Sequence, residues 1–160
     1  MNITIKKMET DDELEGRAFV YWKSWHEVYL GLVSEDYLDR LTLERCEEMA
    51  RKNTADTLVA KDGDRVVGFV GFGDRGDEAP GVGEVFLLYV LSEYRGAGVG
   101  KMLLNAALEQ LREYPQVCLW VLKENHRAIR FYEKCGFRPD GEEHLSPATG
   151  AMGIRMRLER

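Results

Sequence analysis

The stretch LLYVLSEYRGAGVGKMLLNAALEQL, residues 87–111, runs an apolar strand into a glycine-rich turn and then into an amphipathic helix. Gly96, Gly98 and Gly100 let the backbone curl and approach a ligand with no Cβ in the way. The free N–H groups of the helix start then converge on an anion, which makes a phosphorylated ligand the natural occupant. Two common phosphate motifs do not fit. A P-loop requires Gly, four residues, then Gly-Lys-Ser/Thr, but here the first glycine is replaced by Arg95 and the hydroxyl residue by Met102. A dinucleotide fingerprint requires GxGxxG, and Lys101 and Leu103 stand at the third-glycine positions. Nucleoside triphosphate hydrolysis and nicotinamide chemistry are both disfavoured.

What remains resembles the acyl-CoA pyrophosphate loop of the GCN5-related N-acetyltransferase (GNAT) family, Q/R-x-x-G-x-G/A, with Arg95, Gly98 and Gly100 in register. A second segment, NHRAIRFYEKCGF from Asn125 to Phe137, is similar to the later helix and strand entry of that family, at the family's separation. The resemblance covers essentially the whole chain. It implies one domain over residues 1–160, with an α/β fold: a mixed, mainly antiparallel seven-stranded sheet and helices on both faces. It also implies acetyl-CoA as co-substrate and direct transfer of the acetyl group.

Composition sets bounds that agree. A chain of 160 residues with 44% apolar content buries one sizeable core and leaves no room for a second catalytic domain. Lys plus Arg number 22 against 28 Asp plus Glu, a net charge of -6, and no basic run exceeds an adjacent pair. A nucleic-acid partner is disfavoured, while a cationic acceptor is mildly favoured. The first residues, MNITIKKMETDDELE, carry no apolar signal core, and no apolar run is long enough to span a bilayer. No membrane partner and a cytoplasmic location are expected. Cys46, Cys118 and Cys135 have no paired spacing and read as reduced thiols, and His26, His126 and His144 form no metal-ligand spacing. No metal is expected.

Along the chain, residues 3–7 alternate as a short strand, and Thr10 before three acids is a helix start. The first helix is predicted over residues 11–29, and a second from Ser34 to about Lys52, separated from the first by Gly31. Period-two segments follow at 57–61 and 65–73 around an Asp-Gly turn, then at 84–90. A third helix is predicted from about Gly98 to Tyr114, a strand over 117–122, and a fourth helix capped by Asn125 and ended by Gly136. Strands at 138–145 and 152–158 close the chain.

The cradle residues Gly96, Ala97, Gly98, Val99, Gly100 and Lys101 offer main-chain N–H groups to a diphosphate, with Arg95 bracing the turn or meeting a phosphate. The remaining roles follow from the resemblance. Leu88, Tyr89 and Val90 are the counterparts of a strand whose backbone pairs with the pantetheine arm, and the N–H of Val90 or its neighbour is placed to stabilise an oxyanion. Asn125 meets the arm as well as capping a helix, and Ala128 marks the close approach of that helix. Glu84 stands where the family often has a carboxylate base; a carboxylate is a weak base for an alkylammonium unless burial or a water relay assists it. Tyr132 is the acid that protonates the departing thiolate. Cys135 has no neighbouring base and is not a nucleophile.

For the acceptor, WHEVYLGLVSEDYL supplies an aromatic wall of Trp25, Tyr29 and Tyr37 suited to an amine, although Trp22 and Trp25 also have the spacing of a buried helix face. The leading function is N-acetylation of a primary amine on a small molecule. A peptide or protein acetyltransferase and an acyl-CoA sensor without turnover remain open, as does a homodimer.

Overall fold

The computed structural model describes residues 1–160, the side chain of Asp77 excepted. Seven strands form one sheet: β1 Ile3–Lys7, β2 Asp56–Asp62, β3 Arg65–Asp74, β4 Val82–Val90, β5 Gln116–Leu122, β6 Arg138–Leu145 and β7 Met152–Glu159. Their spatial order is β1-β2-β3-β4-β5-β7-β6. Only β4 and β5 run parallel; the other neighbouring pairs are antiparallel. The helices are α1 Asp11–Val28, α2 Glu35–Arg40, α3 Leu43–Lys52, α4 Val99–Gln110 and α5 His126–Lys134.

Helix α1 starts with the reciprocal cap its sequence announces. Thr10 accepts from the Glu13 N–H and Glu13 reaches back to the Thr10 N–H. Lys6 and Lys61 close on the same carboxylate at 2.7 and 3.1 Å, tying the helix to β1 and β2. Gly16 lets α1 lie close on the sheet, since a Cβ there would come within 2.7 Å of Val66. On the opposite face α4 packs over β3, and Gly68 gives it room: a Cβ would stand 3.0 Å from the Leu103 side chain.

The long second helix expected from Ser34 to Lys52 is in fact two. Helix α2 stops at Leu41, whose extended ψ of 79° leaves the helical region, and Thr42 caps α3 by accepting from Arg45 N–H. Leu38, Leu41, Cys46 and Ala50 are all buried, so the apolar stripe runs on through the break. Threonine as an internal cap is what the periodicity concealed. The ring of His26 bridges the Trp22 and Leu38 carbonyls at 2.8 and 2.9 Å and ties α2 to α1.

The sheet is covered unevenly. Phe69, Val70, Leu103, Leu104, Leu119 and Met156 are among the fully buried side chains, with α1 and α4 sandwiching β3 and β4. β6, at the edge, is exposed along its whole length.

Candidate functional site

Strand β4 changes neighbours partway along. Its parallel pairing with β5 runs from Val82↔Gln116 to Val85↔Leu119 and ends there. Against β3 the register skips Phe86, which has no partner: Gly71 pairs with Leu87 and Phe72 with Val85. An extra residue of this kind adds local twist and bends its strand. β4 then continues with β3 to Val90, while β5 continues with β7 to Leu122. From Phe86 onward the main-chain groups of β4 that face the gap have no strand partner.

The gap is part of a cavity of about 690 Å³, within the size range of small-molecule sites. Leu88, Tyr89 and Val90 line one wall, Trp120 and Val121 the other. At its mouth sits the glycine-rich turn. Gly96 and Gly98 have φ of 81° and 83°, the left-handed region that side chains avoid, and a Cβ on either would meet nothing. The turn is therefore open as well as sharply wound.

The N-terminus of α4 is the exception among the helices. Thr10, Ser34, Thr42 and Asn125 each cap their helix with a side chain, whereas Gly98, the N-cap of α4, supplies none. The amides of its first turn, Val99 to Lys101, are left without an intrahelical partner beside the cavity. Arg95, Lys101, Arg127, Arg130 and Lys134 line the same cavity, and among the described lining residues there is no acid. In a chain of net charge -6 this is a strong local inversion. Burial and the neighbouring Arg127 both push the Arg95 guanidinium below its ordinary range, as expected for crowded cations awaiting an anion. Main-chain donors, a helix dipole and five cations suit a ligand bearing several phosphates.

The cavity gathers most of the candidate residues: Tyr29, Leu88, Tyr89, Val90, Arg95, Gly96, Gly98, Val99, Gly100, Lys101, Asn125, Ala128 and Tyr132 all line it. Asn125 does both things considered for it, accepting from Ala128 N–H at 3.3 Å while facing the cavity. Tyr132 is buried, and burial lifts its pKa well above the ordinary tyrosine value, so its hydroxyl stays protonated. The Tyr29 and Tyr89 hydroxyls stand 3.3 Å apart on the other side, both likewise kept neutral by burial.

Ala97, Glu84, Trp25 and Tyr37 are not among the lining residues. Trp25 packs between Tyr21, Tyr29 and Tyr37, with its indole N–H buried and unpartnered, so it stands behind Tyr29 rather than in the cavity. Glu84 lies one residue before the lining begins, on the face of the sheet that carries α1. Arg75 approaches it at 3.2 Å and the Cys118 thiol donates to it at 3.7 Å. Burial raises its pKa above the ordinary carboxylate value, partly offset by Arg75 and the Cys118 hydrogen bond. It is the carboxylate of β4 next to the gap.

Sequence reasoning passed over Arg127, Arg130 and Lys134. Their spacing of three and four, legible in the sequence, places them on one face of α5. Phe86 and Trp120 were missed because bulges and strand parting leave no mark in hydrophobic alternation. Among the described residues no cluster of side chains is arranged to hold a metal ion, and no helix is long and apolar enough to cross a membrane.

Comparison with known proteins agrees with this geometry. Residues 19–137 match the Acetyltransferase (GNAT) family. An uncharacterized N-acetyltransferase of Bacillus subtilis, YuaI, is 29% identical over 97% of this chain and 89% of its own length. A mycothiol acetyltransferase of Corynebacterium efficiens is 30% identical over 80% of this chain, which spans only 42% of that protein. The crystal structure of PaiA N-acetyltransferase from Thermoplasma acidophilum, solved with coenzyme A, superposes over the full length of both chains with a TM-score of 0.77 at 23% identity. A match of this extent, over a split sheet and an uncapped glycine-rich helix start, means that the chain belongs to the GNAT family of acetyltransferases.

Proposed function

We propose that the protein transfers the acetyl group of acetyl-CoA directly to a primary amine of a small molecule. The observation that carries this reading is the continuity of one cavity from a phosphate-suited end to a reaction end. The uncapped start of α4 and five basic side chains lie at the first, and the parted strands with Tyr132 and Tyr29 at the second. In this reading the N–H groups of residues 96–101 and the cations of α5 hold the diphosphate and the further phosphate of CoA. The unpaired edge of β4 takes the pantetheine amides. Glu84 accepts the proton of the incoming ammonium, directly or through water, and Tyr132 protonates the departing thiolate.

A small acceptor is favoured by how the acceptor side is closed. The turn at residues 146–151 is pinned to the α1–α2 connection, where Ser34 N–H donates to the Thr149 carbonyl at 2.8 Å. Ala151 packs there with Tyr29, Val33 and Leu38. This contact joins the 146–151 turn to the chain that follows Tyr29, a cavity residue, which favours a bounded acceptor site over an open groove. A cytoplasmic location, in keeping with three free cysteines, and a homodimer belong to the same reading.

The test is release of free CoA from acetyl-CoA across a panel of polyamines, amino acids, aminoglycosides and short peptides, run beside calorimetric titration with CoA. Transfer to a small amine is expected. CoA binding without thiol release across the panel would make the protein a sensor, and absence of CoA binding by folded protein would end the reading altogether.

A further inference from the structure

We propose that the acceptor carries a carboxylate in addition to its amine, and that Arg155 and Arg157 on β7 bind it, beside an aromatic floor formed by Phe86 and Trp120. This rests on the transferase reading and narrows its substrate class.

The argument starts from the uneven cover of the sheet. On the face that carries α1, that helix lies over β3 and β4 and does not pack extensively on β5, β7 or β6. Glu84 and Cys118 share that face, since thiol and carboxylate touch. Cross-strand pairing adds Arg157 opposite Cys118 and Arg155 opposite Trp120. Phe86 joins them through the bulge, its ring standing over Gly73, the partner of Glu84. Phe86 and Trp120 are 41% and 38% exposed, yet both also line the cavity. The cavity therefore opens onto this face, and two exposed aromatic rings mark its threshold.

The charges beyond that threshold are unevenly paired. Arg75 is matched by Glu84 and Glu78 at 3.2 and 3.4 Å. Arg155 and Arg157 share a single oxygen of Asp140, at 2.6 and 3.4 Å. Arg157 spends one further N–H on the Gln116 side-chain oxygen at 2.6 Å. The terminal nitrogens of Arg155 have no partner among the described residues. Glu159, two residues beyond Arg157 on the same face, forms no ion pair with either guanidinium. The extra carboxylate lies on the Arg75 side, so Arg155 and Arg157, no more than 20% exposed, hold only one between them and keep unused donors in the fork geometry that matches a carboxylate. The Arg155 guanidinium lies 6.0 Å from the Trp120 ring centre, which holds it over the floor. Arg155 is also close enough to Glu84 to draw its pKa down, so amine and carboxylate of one small molecule can reach both.

The experiment compares short ω-amino acids and α-amino acids with alkylamines of equal length, in wild type, Arg155→Gln and Asp140→Asn. Acids should be acetylated with the lower KM. Arg155→Gln should raise that KM about ten- to hundredfold, against a shift of about two- to threefold for alkylamines through the lost pull on Glu84, and leave CoA affinity unchanged. Asp140→Asn frees a second positive charge and should lower the KM for acids several-fold. If alkylamines serve as well as acids, or both variants shift the two classes alike, the carboxylate site is wrong while the transferase reading stands. Calorimetry of the same acids on CoA-loaded protein needs no turnover. Binding that depends on Arg155 without any acetyl transfer would keep the site and overturn the transferase reading, and absence of both would overturn both.

Discussion

The two ends of the cavity are built in different ways. The phosphate end comes from two short segments: Arg95, Gly96 and residues 98–101 in one turn, and Arg127, Arg130 and Lys134 on one helix face. The end proposed for the reaction draws Tyr29 from the cap of α1, Leu88 and Tyr89 from β4, Trp120 from β5 and Tyr132 from α5. The first uses main-chain donors, which any residue without a clashing Cβ supplies. The second uses side chains whose positions depend on strand register and helix docking. An end made of backbone tolerates sequence change around its glycines; an end made of converging side chains is where specificity can differ.

Substitutions can break or sharpen that contrast. The largest effect is expected from Glu84→Gln, which should lower kcat about 10²–10⁴-fold while CoA affinity, measured by calorimetry, stays put. Equal loss of CoA binding would mean that Glu84 supports the structure rather than the chemistry. The pH–rate profile carries a sign. In the proposed mechanism the base works ionised, so activity should rise with pH through the pKa of Glu84, which burial has raised. Arg75→Gln removes the neighbour that draws it down, and the acidic limb should move to higher pH.

At the phosphate end, Gly98→Val places a β-branched side chain at φ 83°, costing about 1–3 kcal/mol in strain and covering the donors. CoA affinity should fall about a hundredfold with the circular dichroism spectrum retained. Replacing Arg127 and Arg130 together by Ala should weaken CoA about tenfold or more, with steeper loss at low salt than at high salt. Smaller still, Tyr132→Phe should reduce kcat by about tenfold or less, because a thiolate of ordinary pKa already leaves readily. The smallest effect separates neighbours on α1. Tyr29→Phe should raise acceptor KM a few-fold. Trp25→Phe should leave KM unchanged and cost about 1 kcal/mol or less in denaturant titration, since the lost indole N–H is already unpartnered.

Several features were readable without coordinates. The cap at Thr10, the glycine-rich entry to α4, the cap at Asn125 and the alternation of β2 and β3 are short-range signals, and each element formed where its residues indicated. The break at Leu41–Thr42 was concealed because the same apolar spacing serves both α2 and α3. Trp25 and Tyr37 have the chemistry of a binding wall, yet helix packing turned them toward one another. Net charge pointed to a cationic partner, while the cavity collected basic side chains alone, because an average over the surface says nothing about one concave patch.

By itself, then, the sequence determined the main-chain half of the phosphate end, since a left-handed glycine turn and a helix start are fixed by adjacent residues, whereas the α5 cations reach it only by tertiary packing. The parting of β4 from β5, the neutral tyrosine pair and the shared Asp140 between Arg155 and Arg157 were decided only by the tertiary structure. Each depends on which residue faces which across the sheet, and a register skip at Phe86 resets that pairing without leaving a trace in composition or period.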